Sequence, residues 1–270
     1  MKSILLFVRD DEGFEARLQA ALDLARASGG HLNCLRPTPT NAYVAYEGWG
    51  GAFTVGSALE ELDKQMAAFR ARLEERLSRE DVPWEFNEWM GEPAAALVVR
   101  SALSDVIVLS QPGRRTELPE PLGLAGDVAV YARTPILVVP NAARGFDPTR
   151  PVAIGWNGSF EAANAIRASL PLLRRATAVH ILTIEDDSKD HFPSTAASEY
   201  LARHDIASEL HCEPAGGAST DAALTRTAQR LGAGTLVMGA YGQSRARQFL
   251  FGGVTRSLLK NSPIPLLIAH

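Results

Sequence analysis

Two pairs of apolar runs recur at one spacing, and this recurrence constrains the fold more than any other feature of the chain. Asp105-Val106-Ile107-Val108-Leu109 stands thirty residues before Pro135-Ile136-Leu137-Val138-Val139. Thr235-Leu236-Val237-Met238-Gly239 stands thirty residues before Pro265-Leu266-Leu267-Ile268-Ala269. One offset of 130 superimposes both pairs and sets Gly123 on Gly253. Ile4–Val8 matches Val152–Trp156 at an offset of 148, so the first half holds 18 additional residues (148 − 130). The stretch from Pro37 to Gly56, rich in glycine and aromatic residues, is the natural place for them. The chain reads as a tandem duplication with one insertion. Its units are 1–140 and 151–270, joined by a linker over Asn141–Arg150. A length of 270 residues suits two hydrophobic cores better than one.

Each half alternates short apolar runs with amphipathic segments. The first half has runs at Ser3–Arg9, His31–Arg36, Trp84–Met90, Asp105–Ser110 and Pro135–Val139. Phe14, Leu18, Ala21, Leu22 and Ala25 fall at helical spacing, as do Leu59, Leu62, Met66, Phe69, Leu73 and Leu77. Both stripes read as core faces. The second half repeats the order, with strands near Val152–Trp156, His180–Ile184, Ser208–Cys212, Thr235–Gly239 and Pro265–Ala269. Its helices are expected after Gly158-Ser159, near Thr195, at Ser219-Thr220-Asp221 and after Gly253, with Ser159 and Ser219 as caps. Alternation of strand and helix implies right-handed crossovers and parallel sheets covered on both faces. The expected fold class is therefore α/β: two tandem doubly wound, Rossmann-like domains, each a five-stranded parallel sheet. Ligands of such sheets bind at the carboxyl ends of the strands.

Composition narrows the function classes. The chain is 46% hydrophobic and 21% charged, which excludes a disordered or collagen-like protein. No apolar stretch reaches the ~18–20 residues of a membrane helix, and MKSILLFVRDD lacks the pattern of a signal peptide. Two cysteines, Cys34 and Cys212, exclude a disulfide framework and point to a cytoplasmic location. Both fall in expected strands and read as buried, inert thiols. A net charge of −4 gives no reason to expect nucleic acid as a partner. Residues 1–140 carry 14 Lys+Arg against 20 Asp+Glu, and residues 141–270 carry 13 against 11. That asymmetry suits either two solvated surfaces or an anion handled by the second half alone.

Catalytic patterns are scarce. There is no G-x-S-x-G elbow, no H-E-x-x-H, no C-x-x-C and no Walker A lysine. The six histidines are scattered, His204 and His211 on separate elements, and no metal site is expected. Glu185-Asp186-Asp187 reads as a solvated loop after a strand, with a cation site as the alternative. One constellation stands apart: Gly239-Ala240-Tyr241-Gly242, nine residues, then Gly252-Gly253-Val254-Thr255. Glycines let backbone approach a phosphate chain, and the helix opening near Gly253 adds exposed N–H groups and a positive dipole end. Arg245, Arg247 and Arg256 lie in or beside this loop. Sharp turns alone also account for glycines in such a loop.

On Gly239, Gly242 and Gly252, the second half resembles the universal stress protein family, whose nucleotide-binding members carry G-x2-G-x9-G-[S/T] at this place. Pro265-Leu266-Leu267-Ile268 resembles that family's closing strand, and Trp156-Asn157-Gly158-Ser159 its first strand-to-helix turn. The resemblance covers the whole chain as two copies forming a pseudo-dimer. It implies ATP, with Mg2+ as an accompanying ion, as the ligand. Purine and ribose would sit against Gly155, Asn157 and Ile184. The phosphates would meet Gly239, Ala240, Tyr241, Gly242, Gln243, Ser244 and Arg245, then Gly252, Gly253, Val254 and Thr255. Two departures stand out: Asn157 replaces the family's usual acidic residue, and Gly253 replaces its Ser or Thr, with Thr255 as the nearest substitute.

The first half keeps the scaffold and loses the loop. At the offset of 130, Leu109, Pro112 and Leu122 stand for Gly239, Gly242 and Gly252. Pro112 has no N–H, and the leucines put side chains where backbone should approach. The function implied is nucleotide-dependent stress response or signalling through a protein partner, with at most slow ATP hydrolysis and a homodimer left open. The alternatives are an interaction module without nucleotide and, behind it, a slow nucleotide-using enzyme. Tyr43, Tyr46, Trp49 and Phe53 in the insertion are expected to cover a domain face or a neighbouring chain.

Overall fold

The computed structural model describes residues 1–39, 52–113, 123–184, 192–214, 216–240 and 253–270, with the backbone alone at 52–60 and 62. The first half runs β1 (Ser3–Phe7), α1 (Phe14–Ser28), β2 (His31–Thr38), α2 (Ala52–Leu77), β3 (Trp84–Met90), α3 (Pro93–Arg100), β4 (Val106–Ser110), α4 (Gly123–Tyr131) and β5 (Ile136–Val139). The second half runs β6 (Val152–Gly155), α5 (Phe160–Leu173), β7 (Val179–Ile184), α6 (Ser194–Ala202) and β8 (Glu209–Glu213), then α7 (Thr220–Arg230), β9 (Thr235–Gly239), α8 (Gly253–Asn261) and β10 (Leu266–Ala269).

All ten strands join one sheet in the order β3-β2-β1-β4-β5-β10-β9-β6-β7-β8. Read inward from each edge, the two halves have the same order. Pairing is parallel within each half, and β5 meets β10 antiparallel. The α/β class and doubly wound parallel topology are as the alternation of elements predicts. The cores are arranged differently from the expected one per half. One apolar cluster lies on each face of the sheet, and each draws on both halves: Leu137 and Leu267 on one side, Val138 and Ile268 on the other. The cause is the β5–β10 pairing, which makes the two faces continuous.

Local rules account for most elements. Phe14, Leu18, Ala21, Leu22 and Ala25 bury one face of α1, and the helix ends on Gly29 at φ 58°, a left-handed cap that glycine adopts without strain. On α2, Phe69, Leu73 and Leu77 are buried; the side chains of Leu59 and Leu62 lie outside the described residues. The extra length of the first half is not confined to Pro37–Gly56. Pro37 and Thr38 belong to β2, and α2 has 26 residues where α6 has 9. Helix α3 was not anticipated, although Pro93 at its start is a recognised opening residue. Tyr43, Tyr46 and Trp49, together with the Phe53 side chain, lie outside the described residues. Among those residues, no helix is long and apolar enough to cross a membrane.

Candidate functional site

In each half the chain leaves its central strand toward one edge and returns on the other side. A crevice therefore opens at the carboxyl ends between β1 and β4, and between β6 and β9. Gly155 closes β6, in register with Leu182 of β7 and Met238 of β9. The chain then turns into α5. Asn157 Oδ1 accepts from the Ser159 N–H at 3.2 Å, Gly158 takes φ 74°, and Ser159 Oγ accepts from the Ala162 N–H at 3.2 Å. The Ser159 cap is as expected. Ser219 occupies the capping position of α7 but its side chain makes no cap hydrogen bond. Asn157 thus gives one oxygen lone pair to the turn that starts α5, as Asx side chains commonly do.

Gly239 closes β9, and its lack of a side chain has a packing consequence. A Cβ there would stand 2.5 Å from both the Ala162 N and the Glu161 carbonyl carbon. The missing side chain lets the first turn of α5 lie on the end of β9. Ala240 is fully buried, and its N–H donates to the Ala269 carbonyl at 2.8 Å, which commits that donor to the sheet. Ile184 and Val254 are half-buried against the same apolar cluster as Leu224 and Met238. Gly253 opens α8, is exposed, and has nothing within 4 Å of where a Cβ would stand. Thr255 turns away from that rim: at 5% exposure it joins Leu258 and Leu259 on the buried face of α8. Tyr241, Gly242, Gln243, Ser244, Arg245 and Gly252 lie outside the described residues.

The first-half crevice is filled by a side chain. Arg17, on α1, is fully buried. Its Nε donates to the Phe7 carbonyl at 2.8 Å, and its terminal nitrogens donate to the Arg9 carbonyl at 2.6 Å, Ser110 Oγ at 2.8 Å and Asp11 Oδ1 at 2.5 Å. Its guanidinium carbon lies 5.1 Å from the centre of the Phe7 ring. Burial lowers the Arg17 pKa, and the hydrogen bond and attraction to Asp11 oppose that shift. The guanidinium occupies the place where β1 and β4 diverge. At the offset of 148, the second half carries Ala165 instead. Sequence reasoning missed Arg17, although a signal exists: it lies three residues from Phe14 and four from Ala21, on the apolar stripe. Gly123, the remnant of the first-half loop, takes φ 66° at the start of α4.

Two further features bear on chemistry. Cys34 is buried, and burial followed by the charge of Glu85 pushes its pKa up to about 12. Cys212 is exposed, contrary to the expectation for both thiols, because β8 is the outer strand of the sheet. An apolar hollow of about 210 Å³ lies between α5 and α6, lined by Trp156, Ile166, Phe192 and Tyr200 among others. Its lining suits apolar contact rather than phosphate.

The model of the universal stress protein family matches residues 149–270. No curated protein matches the chain. Among solved structures, a universal stress protein from Archaeoglobus fulgidus DSM 4304 is similar with a TM-score of 0.75 at 15% identity, covering 99% of this chain and 96% of that one. A putative universal stress protein from Pseudomonas aeruginosa UCBPP-PA14 has a TM-score of 0.60 at 16% identity, covering 100% and 93%. A functionally unknown protein from Pseudomonas aeruginosa PAO1 has a TM-score of 0.59 at 16% identity, covering 100% and 92%. These likenesses show the fold along the full chain. The family match places the universal stress protein domain at residues 149–270, and the structural likeness extends the same fold over residues 1–140.

Proposed function

We propose that the chain is a tandem universal stress protein that binds one ATP, in the crevice between β6 and β9, and acts in stress response or signalling. Residues 151–270 form the nucleotide-binding unit, and residues 1–140 a scaffold with a degenerate loop. The observation that carries this reading is the contrast between the crevices: Arg17 fills the first, whereas Ala165 stands at its place in the second. Gly155, Asn157 and Ile184 would receive the base and sugar. The loop from Gly239 through Gly242 and Arg245 to Gly252 would wrap the phosphates, with Mg2+ alongside. The exposed start of α8 at Gly253 offers N–H groups and the positive end of its dipole. Binding rather than turnover is the output, because no Walker-type lysine accompanies the loop. The last strands already pair with each other inside the chain, so a homodimer would have to use another surface.

Native mass spectrometry of the freshly purified chain, followed by calorimetric titration with ATP, tests this. The expected result is one nucleotide per chain, lost in Gly242→Val. ATP at a hundredfold over its dissociation constant should add about 2.7 kcal/mol of stability. An empty chain that takes up no ATP would sustain the interaction-module reading instead. Two nucleotides per chain would refute the assignment to one half.

A further inference from the structure

We propose that His180, Glu209 and His211 form a zinc site at the outer edge of the second half, separate from the nucleotide crevice. Parallel pairing of β7 with β8 sets Glu209 directly beside His180, and His211 beside Leu182. Residues two apart on a strand share a face, so all three side chains project from one side of the sheet. His180 Nδ1 lies 3.1 Å from His211 Nε2 and 3.3 Å from Glu209 Oε2, and His211 Nε2 lies 3.6 Å from Glu209 Oε2. A zinc ion with bonds of ~2.0–2.1 Å holds the ligand atoms of a tetrahedron about 3.3 Å apart. The three atoms already form such a triangular face.

The chemistry of the set points the same way. Two imidazoles and one carboxylate suit a borderline ion such as Zn2+, whereas Mg2+ and Ca2+ favour oxygen alone. The two ring nitrogens, 3.1 Å apart, converge on one point and are suited to sharing one cation. The His180 side chain, 9% exposed, is the fixed anchor; that of Glu209, 71% exposed, can close on an ion at little cost. The exposed side leaves the fourth position to water. Cys212 alternates to the opposite face of β8 and is not part of the set. His180 is the second residue of β7, whereas Gly155 and Gly239 lie at the carboxyl ends of their strands. The ion is therefore distinct from any Mg2+ that accompanies ATP.

The test uses the full chain, stripped with a chelator and dialysed free of nucleotide. Zinc chloride is titrated at micromolar concentration, and bound metal is measured after gel filtration. Cobalt chloride is titrated in parallel for the intense visible bands of tetrahedral Co2+. One zinc per chain and those bands are expected for the wild type, with a rise in melting temperature. Glu209→Ala and His211→Ala should each weaken binding at least tenfold and abolish the bands. Both positions lie on the outer strand, and melting curves report whether each variant folds; if His211→Ala does not, the exposed Glu209→Ala decides alone. No zinc on the wild type, or undiminished zinc on a folded Glu209→Ala chain, would overturn the site. Neither result bears on ATP binding.

Discussion

Leu137 of β5 lies directly opposite Leu267 of β10, and these two residues are each other's counterparts at the offset of 130. Ile136 faces Ile268 and Leu266 faces Val138, so the pairing is self-complementary about the central leucines. This is the register of a twofold dimer interface, made here within one chain. Both leucines belong to the same apolar cluster. Leu137→Ala and Leu267→Ala should each cost about 2–5 kcal/mol by denaturant titration. As direct neighbours they should couple by about 0.5–3 kcal/mol in a double-mutant cycle. Strict additivity would show that the two halves stabilise themselves independently.

The loop glycines should divide by cause. Gly239→Ala places a methyl group against the backbone of α5, with no flexible side chain to yield, and should destabilise the fold by about 1–3 kcal/mol even without nucleotide. Gly253→Ser meets open space and should change stability by less than about 0.5 kcal/mol. It also restores the hydroxyl typical of the family at the start of α8, and should tighten ATP binding. Unchanged ATP affinity in a folded Gly253→Ser chain would remove α8 from the phosphate site.

Replacing Arg17 with methionine should destabilise the chain by about 3–5 kcal/mol, because the Phe7 and Arg9 carbonyls and Ser110 lose their buried donor. The number of ATP molecules bound should stay at one, since Leu109, Pro112 and Leu122 stand in the first half where the second has Gly239, Gly242 and Gly252. A second ATP in this variant would show that Arg17 alone closes the first crevice.

The thiols should react at very different rates. An aromatic disulfide reagent at neutral pH should modify Cys212 in the folded chain. It should reach Cys34 only on unfolding, because burial keeps that thiol protonated with a pKa of about 12. Peptide mapping after a short exposure would distinguish the two, and rapid labelling of Cys34 would show that the β1–β2–β3 region opens readily.

Much of the fold is legible in the chain because its signals are local. The run Trp84–Met90 and the run Thr235–Gly239 are strands with the bounds their patterns suggest. Ser159 before Phe160 announces α5, and its cap bond is present. Helix α3 was obscured by its shortness, and the length of α2 by the insertion before it.

What the sequence by itself determined about this protein is its repeated order of elements and its α/β class, because apolar periodicity and turn chemistry act over a few neighbouring residues. Only the tertiary structure decided which side chains meet. Arg17 sits on the apolar stripe of α1, but only the packing of α1 on β1 carries its guanidinium into the first crevice. Cys212 reads as buried until β8 takes the edge. His180 and His211 are 31 residues apart, and parallel register with a crossover between them brings their ring nitrogens to 3.1 Å. Register and edge position depend on which strands pair across long separations, and no short window of the chain records that choice.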